Sequence, residues 1–143
     1  MQLTSHTDYA LRLLIYLAIA DKDMNATVQE AADRYRISAN HVAKVAQTLV
    51  QLGYINSRRG RGGGLSLARS AAAINVGDVV RQTENLQLLE CFGPHSTCPI
   101  DPACRLKQVL GRAQNAFLEV LDGYTLAELV GNDSELRLLL KTL

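Results

Sequence analysis

Fourteen residues, Cys91-Phe-Gly-Pro-His-Ser-Thr-Cys98-Pro-Ile-Asp-Pro-Ala-Cys104, hold all three cysteines and all three prolines of the 143-residue chain. Six residues separate Cys91 from Cys98, and five separate Cys98 from Cys104. Proline cannot continue a helix or donate to a sheet ladder, so this stretch is predicted to be a stiff loop that gathers thiols. Three cysteines cannot all pair within one chain. Three thiolates do suit a soft metal centre with one coordination position left over, and iron–sulfur clusters and zinc are the obvious occupants. The blander alternatives are a disulfide with a leftover thiol, or three unrelated cysteines. In a reducing compartment, clustered cysteines more often bind metal or do redox chemistry.

The apolar share of 48% is enough for one core, and 143 residues fit one domain or a small domain with an appendage. No apolar run reaches the roughly 18–20 residues that cross a bilayer. The opening residues show no basic segment leading into an apolar one, so no signal peptide and a cytoplasmic setting are expected. The net charge of +1 conceals an asymmetry. Residues 1–70 carry nine Lys/Arg against five Asp/Glu, and residues 71–143 carry six against nine. Between Asp33 and Asp78 there is no acid, while Arg34, Arg36, Lys44, Arg58, Arg59, Arg61 and Arg69 all lie there. Such a stretch points to a surface that faces a polyanion, the alternative being a solvated basic face.

Taken in order, Ser5 or Thr7 is expected to cap a first helix, with Asp8 in its first turn and Leu11, Leu14, Ile15, Ala18 and Ile19 at helical spacing. The polar run from Asp21 to Asn25 is expected to end it. Thr27 and Glu30 form a capping box that opens a short second helix. Ser38 caps a third, with Val42, Val45, Ala46, Leu49 and Leu52 on one face and Gly53 at its end. Two short helices joined by a tight turn read as a helix-turn-helix. The outer face of the second presents Asn40, His41 and Lys44, together with Gln47, Thr48 and Gln51, to base edges and phosphates. Ser38 stands beside them for the backbone.

A predicted hairpin follows, with strands at Tyr54–Ser57 and Leu65–Leu67 around the glycine-rich turn of residues 58–64. Directly after a recognition helix, it is the wing of a winged helix. Arg58, Arg59 and Arg61 are placed to meet phosphates or the minor groove. The glycine run lacks the Gly-Lys-Ser/Thr ending of a nucleotide-binding loop and opens no helix. A further helix is expected over 74–84. After Cys104 a long helix over about residues 103–121 carries Leu106, Val109, Ala113, Ala116 and Val120 in steps of 3, 4, 3 and 4, a heptad seam that suits a dimer. Gly123 is expected to end it, a second capping box at Thr125 and Glu128 to open a short helix, and Leu136–Leu143 to be an apolar tail. No Ser/His/Asp order, His-Glu-x-x-His or clear carboxylate pair is present, so an enzyme is not expected.

The segments at residues 1–12, 59–65, 76–81 and 102–107 together resemble one family, the bacterial winged-helix iron–sulfur regulators of the IscR/NsrR type, over nearly the whole chain. The resemblance implies a mainly α fold: a winged helix-turn-helix over 1–84 with a small β-hairpin wing, a cluster-binding loop over 85–104, and a dimerisation helix and tail over 103–143. It is nearest to the nitric-oxide-sensing repressors. Members with a 2Fe–2S centre place a histidine ligand where this chain has Lys107, which when protonated has no lone pair to offer. The resemblance therefore implies a 4Fe–4S cluster on Cys91, Cys98 and Cys104, with Asp8 donated across a homodimer as fourth ligand. On chemistry alone His6, Glu90, His95 and Asp101 also remain open as the fourth ligand. The implied function is a repressor that binds a palindromic operator in double-stranded DNA and answers to nitric oxide. A metal-free thiol switch or a zinc-containing regulator is the alternative.

Overall fold

The computed structural model of the chain describes residues 1–21 and 26–141. Among these are seven α-helices and one two-stranded antiparallel sheet. In chain order they are α1 (Ser5–Ile19), α2 (Val28–Tyr35), α3 (Ala39–Gln51), β1 (Ile55–Arg58), β2 (Gly64–Leu67), α4 (Val76–Thr83), α5 (Arg105–Asp122), α6 (Leu126–Leu129) and α7 (Asp133–Leu140). The winged-helix order expected from the sequence is therefore present.

Helix α1 is the hub. Ala10, Leu13, Leu14 and Leu17 recur on one face and are buried, and α3, α4, α6, α7 and β2 all pack against the helix. Truncating Leu13 or Leu14 to alanine at such a site costs about 2–5 kcal/mol. The expected cap is corrected by one residue. Thr4, not Ser5 or Thr7, caps α1, its hydroxyl accepting the Thr7 N–H at 3.4 Å. Thr7 is already inside the first turn and buried, its hydroxyl 3.5 Å from that of Thr4. The helix ends at Ile19, with Ala20 extended; of the polar segment expected there, residues 22–25 lie outside the described residues.

The predicted capping boxes at Thr27–Glu30 and Thr125–Glu128 both form. Arg36 ends α2 in the left-handed conformation (φ 57°), a cost to a non-glycine residue. It lets the chain reverse within two residues, and Ser38 then caps α3, accepting the His41 N–H at 3.3 Å. Gly53 ends α3 at φ 80°, as expected. In the hairpin Ile55 pairs with Leu67 and Arg58 with Gly64. The strands lie one residue from the predicted limits because Tyr54 is drawn into the core. Its ring is buried beneath the Arg69 guanidinium at 4.5 Å, and its hydroxyl accepts from Gln82 at 2.8 Å. The wing tip needs glycine: a Cβ on Gly63 would meet the Gly60 carbonyl oxygen at 2.7 Å.

Helix α5 ends at Gly123 as expected, in a right-handed conformation (φ −76°, ψ −3°). The chain runs directly into a bridge between Asn75 and Thr125, leaving no room for a left-handed reversal. There the Val76 N–H donates to the Tyr124 carbonyl at 3.0 Å and the Leu126 N–H to the Ile74 carbonyl at 2.8 Å. Arg81 closes the junction with a two-pronged pair to Asp122, of which Nη2–Oδ2 is 2.8 Å. Asp122 lies against Gly77, where any Cβ would strike its carboxylate. The heptad seam points away from all of this. Leu106, Val109 and Val120 are 58–63% exposed, and Leu118 is the one fully buried residue of α5. The tail expected from Leu136 is instead the helix α7, with residues 142–143 outside the described residues.

Gly77→Ala and Asp122→Asn are each expected to lower the melting temperature only slightly, since the clamp is half-exposed and screened by solvent. Both remove the same contact, so the double variant should lose no more than the worse single one. Additive losses in thermal melts would show that Gly77 has another role.

Candidate nucleic-acid interface and cysteine site

The residues predicted to face DNA lie on α3 and on the wing. Ser38 and the exposed Asn40 and Lys44 stand on the first turns of α3. Arg58, Arg59 and Arg61 are exposed on the wing. No acid lies between Asp33 and Asp78, so no carboxylate interrupts this stretch of chain. The side chain of one of its basic residues serves the fold instead. Arg69 donates from Nε to the Gly53 carbonyl at 3.2 Å and from Nη2 to the Leu52 carbonyl at 3.3 Å, capping the negative end of α3. Arg36 is the left-handed cap of α2.

His41 is the predicted DNA-facing residue with a second attachment. Its ring is half-buried, 4.6 Å edge-on to Tyr9 and 6.4 Å from the stacked ring of His6. The recognition helix thus rests on the first turn of α1, which also carries Asp8. The Asp8 carboxylate is held on both oxygens by Arg12, Nε–Oδ1 at 2.9 Å and Nη2–Oδ2 at 2.9 Å. The Arg12 guanidinium lies over the rings of Tyr9 and Tyr35, at 5.7 and 5.8 Å. Burial, only partly offset by Arg12, pushes the Tyr35 hydroxyl up to about 12. It is therefore a proton donor, and it donates to the Arg12 carbonyl at 2.8 Å. Arg12 was not singled out in the sequence, although its four-residue spacing from Asp8 is the signal for such a pair.

The three cysteines are free thiols, Cys91 and Cys104 half-buried and Cys98 exposed. Their loop is braced by its own acids. Glu90 reaches across to Thr97, accepting from its backbone N–H and, at 2.6 Å, from its hydroxyl. These bonds hold the Glu90 carboxyl below its usual range. Asp101 is held low by Lys107, whose Nζ is 2.6 Å away, and then by Ser96. Two of the open candidates for a fourth ligand are therefore engaged in bracing the loop, and His95 is exposed. Cys104 caps α5, its sulfur accepting the Lys107 N–H at 3.4 Å. Among the described residues no three His, Cys, Asp or Glu side chains already converge as a metal site. The donor set still fits a soft metal. Three unpaired thiols share one loop, one of them at a helix start, and closing the loop is all that coordination asks.

Glu84 joins the two halves of the site, and the sequence carried no signal for it across 80 residues. It accepts from the Thr4 N–H at 2.8 Å and the Thr4 hydroxyl at 3.1 Å, so the end of α4 grips the start of α1. The chain then runs into the cysteine loop, where Gln114 of α5 donates to the Leu86 carbonyl.

A winged helix with a basic reading face and a cysteine loop ahead of a long helix is the pattern of a known group. Residues 3–132 match Rrf2, iron-dependent transcriptional regulators. The chain belongs to the Rrf2 family. It is 52% identical over 143 residues to the HTH-type transcriptional regulator NsrR of Shouchella clausii, covering 99% of this chain and 96% of that one. It is 47% identical over 143 residues to NsrR of Geobacillus kaustophilus, covering 99% and 97%. Among solved structures, Staphylococcus aureus CymR superposes with a TM-score of 0.71 at 29% identity, covering 90% of this chain and 97% of that one. T. potens IscR superposes with a TM-score of 0.75 at 24% identity, covering 96% and 91%, a likeness of fold alone. This Rrf2 member is a DNA-binding transcriptional regulator and not an enzyme. No helix among the described residues is long and apolar enough to cross a membrane.

Burial alone would raise the Glu84 pKa, but the hydrogen bonds from Thr7 and Thr4 outweigh it and hold the carboxyl below 4.5. Its stabilisation is therefore present above that value and lost as pH falls through the lower, folded one. Glu84→Gln is expected to lower the melting temperature at pH 7, with the gap to wild type closing below about pH 4. A gap that does not change with pH would show that the charge is not what holds α1 to α4.

Proposed function

We propose that the chain is a cytoplasmic, homodimeric repressor that grips a palindromic operator when it carries an iron–sulfur cluster and lets go on meeting nitric oxide. The observation that carries this is the pairing of three unpaired cysteines in one braced loop with 52% identity to a regulator named NsrR. The division into a reading head (1–84), a cluster loop (85–104) and a dimerisation helix with its tail (103–143) belongs to the same proposal.

Cys91, Cys98 and Cys104 would hold the cluster, in its 4Fe–4S rather than 2Fe–2S form, with Asp8 donated across the dimer. Lys107 supports the choice, because it stands where 2Fe–2S members of the family place a histidine. When bound, the cluster supplies an iron site that reacts with nitric oxide. Asp8 has two alternative partners, iron or Arg12, and the Arg12 pair is the one formed here. Exchange between them would move the first turn of α1, on which His41 rests. The exposed seam of α5 supports the dimer. Twofold symmetry then calls for half-sites about 34–36 Å apart, or a multiple. Ser38, Asn40, His41 and Lys44 would enter or flank the major groove, with Arg58, Arg59 and Arg61 on phosphate or in the minor groove.

Gel shifts with anaerobically prepared holo, nitric-oxide-treated and apo protein test the proposal. Holo protein is expected to bind at least about tenfold more tightly, a coupling of about 1.4 kcal/mol. Equal affinity in all three ends the sensing claim. Iron-free, colourless protein that still grips its operator would transfer the role to a thiol or zinc switch. Arg61→Ala is expected to weaken binding on all sequences and to reduce the salt slope by about one. An unchanged slope takes Arg61 off the phosphates.

A further inference from the structure

Lys107 has a place in the cysteine site that a missing ligand does not explain. It lies three residues after Cys104, on the same face of the first turn of α5. Its backbone N–H donates to the Cys104 sulfur at 3.4 Å, and its ammonium is 2.6 Å from Asp101, inside the loop. Both side chains of this pair are partly shielded. The hydrogen bond it donates to Asp101 is the chief reason the Lys107 ammonium holds its proton more firmly than usual, and the fields of Cys91 and Cys104 add to it. The charge of Lys107 is therefore felt at two of the three sulfurs.

We propose that Lys107 sets the reduction potential of the cluster held by Cys91, Cys98 and Cys104, and that Asp101 moderates it. This rests on the cluster assignment above. Net charge and hydrogen bonds at the sulfurs are among the determinants of such potentials. Three thiolates and a carboxylate ligand would bring four negative charges to one short loop. Reduction adds one electron more, and a nearby cation makes that addition easier. Asp101 draws the ammonium toward itself and cancels part of its field. The two residues of one ion pair therefore act on the cluster in opposite directions, although as a mechanical brace they act together.

The opposition of sign is what an anaerobic redox titration of the loaded protein reads. Lys107→Gln is expected to lower the midpoint potential and Asp101→Asn to raise it. A shift of about 59 mV corresponds to tenfold in a one-electron equilibrium. Lys107→Arg keeps the charge and should keep the wild-type potential. If Lys107→Gln fails to hold a cluster, the Asp101→Asn and Lys107→Arg proteins still decide the question. Unchanged potentials, or a fall in both Lys107→Gln and Asp101→Asn, overturn the proposal while leaving the cluster assignment intact. Wild-type protein whose iron and sulfide counts show no cluster removes both together.

Discussion

The buried face of α1 is the constraint on which the rest depends. Ala10, Leu13, Leu14 and Leu17 have no exposed alternative, and α3, α4, α6, α7 and β2 are fixed by packing against them. The same helix carries Asp8 on its half-exposed side and touches the recognition helix through Tyr9 and His41. Close-packed interiors do not deform smoothly. A pull on the first turn of α1 is therefore delivered to α3 and is not absorbed within the core.

The electrostatics divide along the same line. The acid-free stretch is not uniformly available for a polyanion, because the Arg69 side chain caps α3 and shields the Tyr54 ring. Arg58, Arg59, Arg61 and Lys44 are left exposed. In the cysteine loop the carboxylates are the structural members. Glu90 bridges to Thr97 and Asp101 to Lys107, which braces the loop. Between the two regions, Glu84 and the Arg81–Asp122 clamp tie α4 to α1 and to α5.

Much of the architecture was legible in the chain. The caps at Thr27, Ser38 and Thr125, the hairpin and the seam of α5 are local signals, and each produced the expected element. The exceptions have local reasons too. Thr7 could not cap α1 because the helix already starts at Ser5, and the first strand starts one residue late because Tyr54 is drawn into the core. The cysteines, Asp8, the α3 residues and the wing arginines were all visible as candidates, by type and by place.

By itself the sequence determined the elements, their order and the chemical character of each face, because capping, periodicity and proline placement act over a few residues. Only the tertiary structure decided which of those groups are already engaged. The pairing of Asp8 with Arg12 turns a candidate ligand into one with two partners, and His41 is shared between the DNA face and α1. Glu84 meets Thr4 across 80 positions of chain. Contacts at that separation follow from how buried faces stack, and no short-range pattern encodes them.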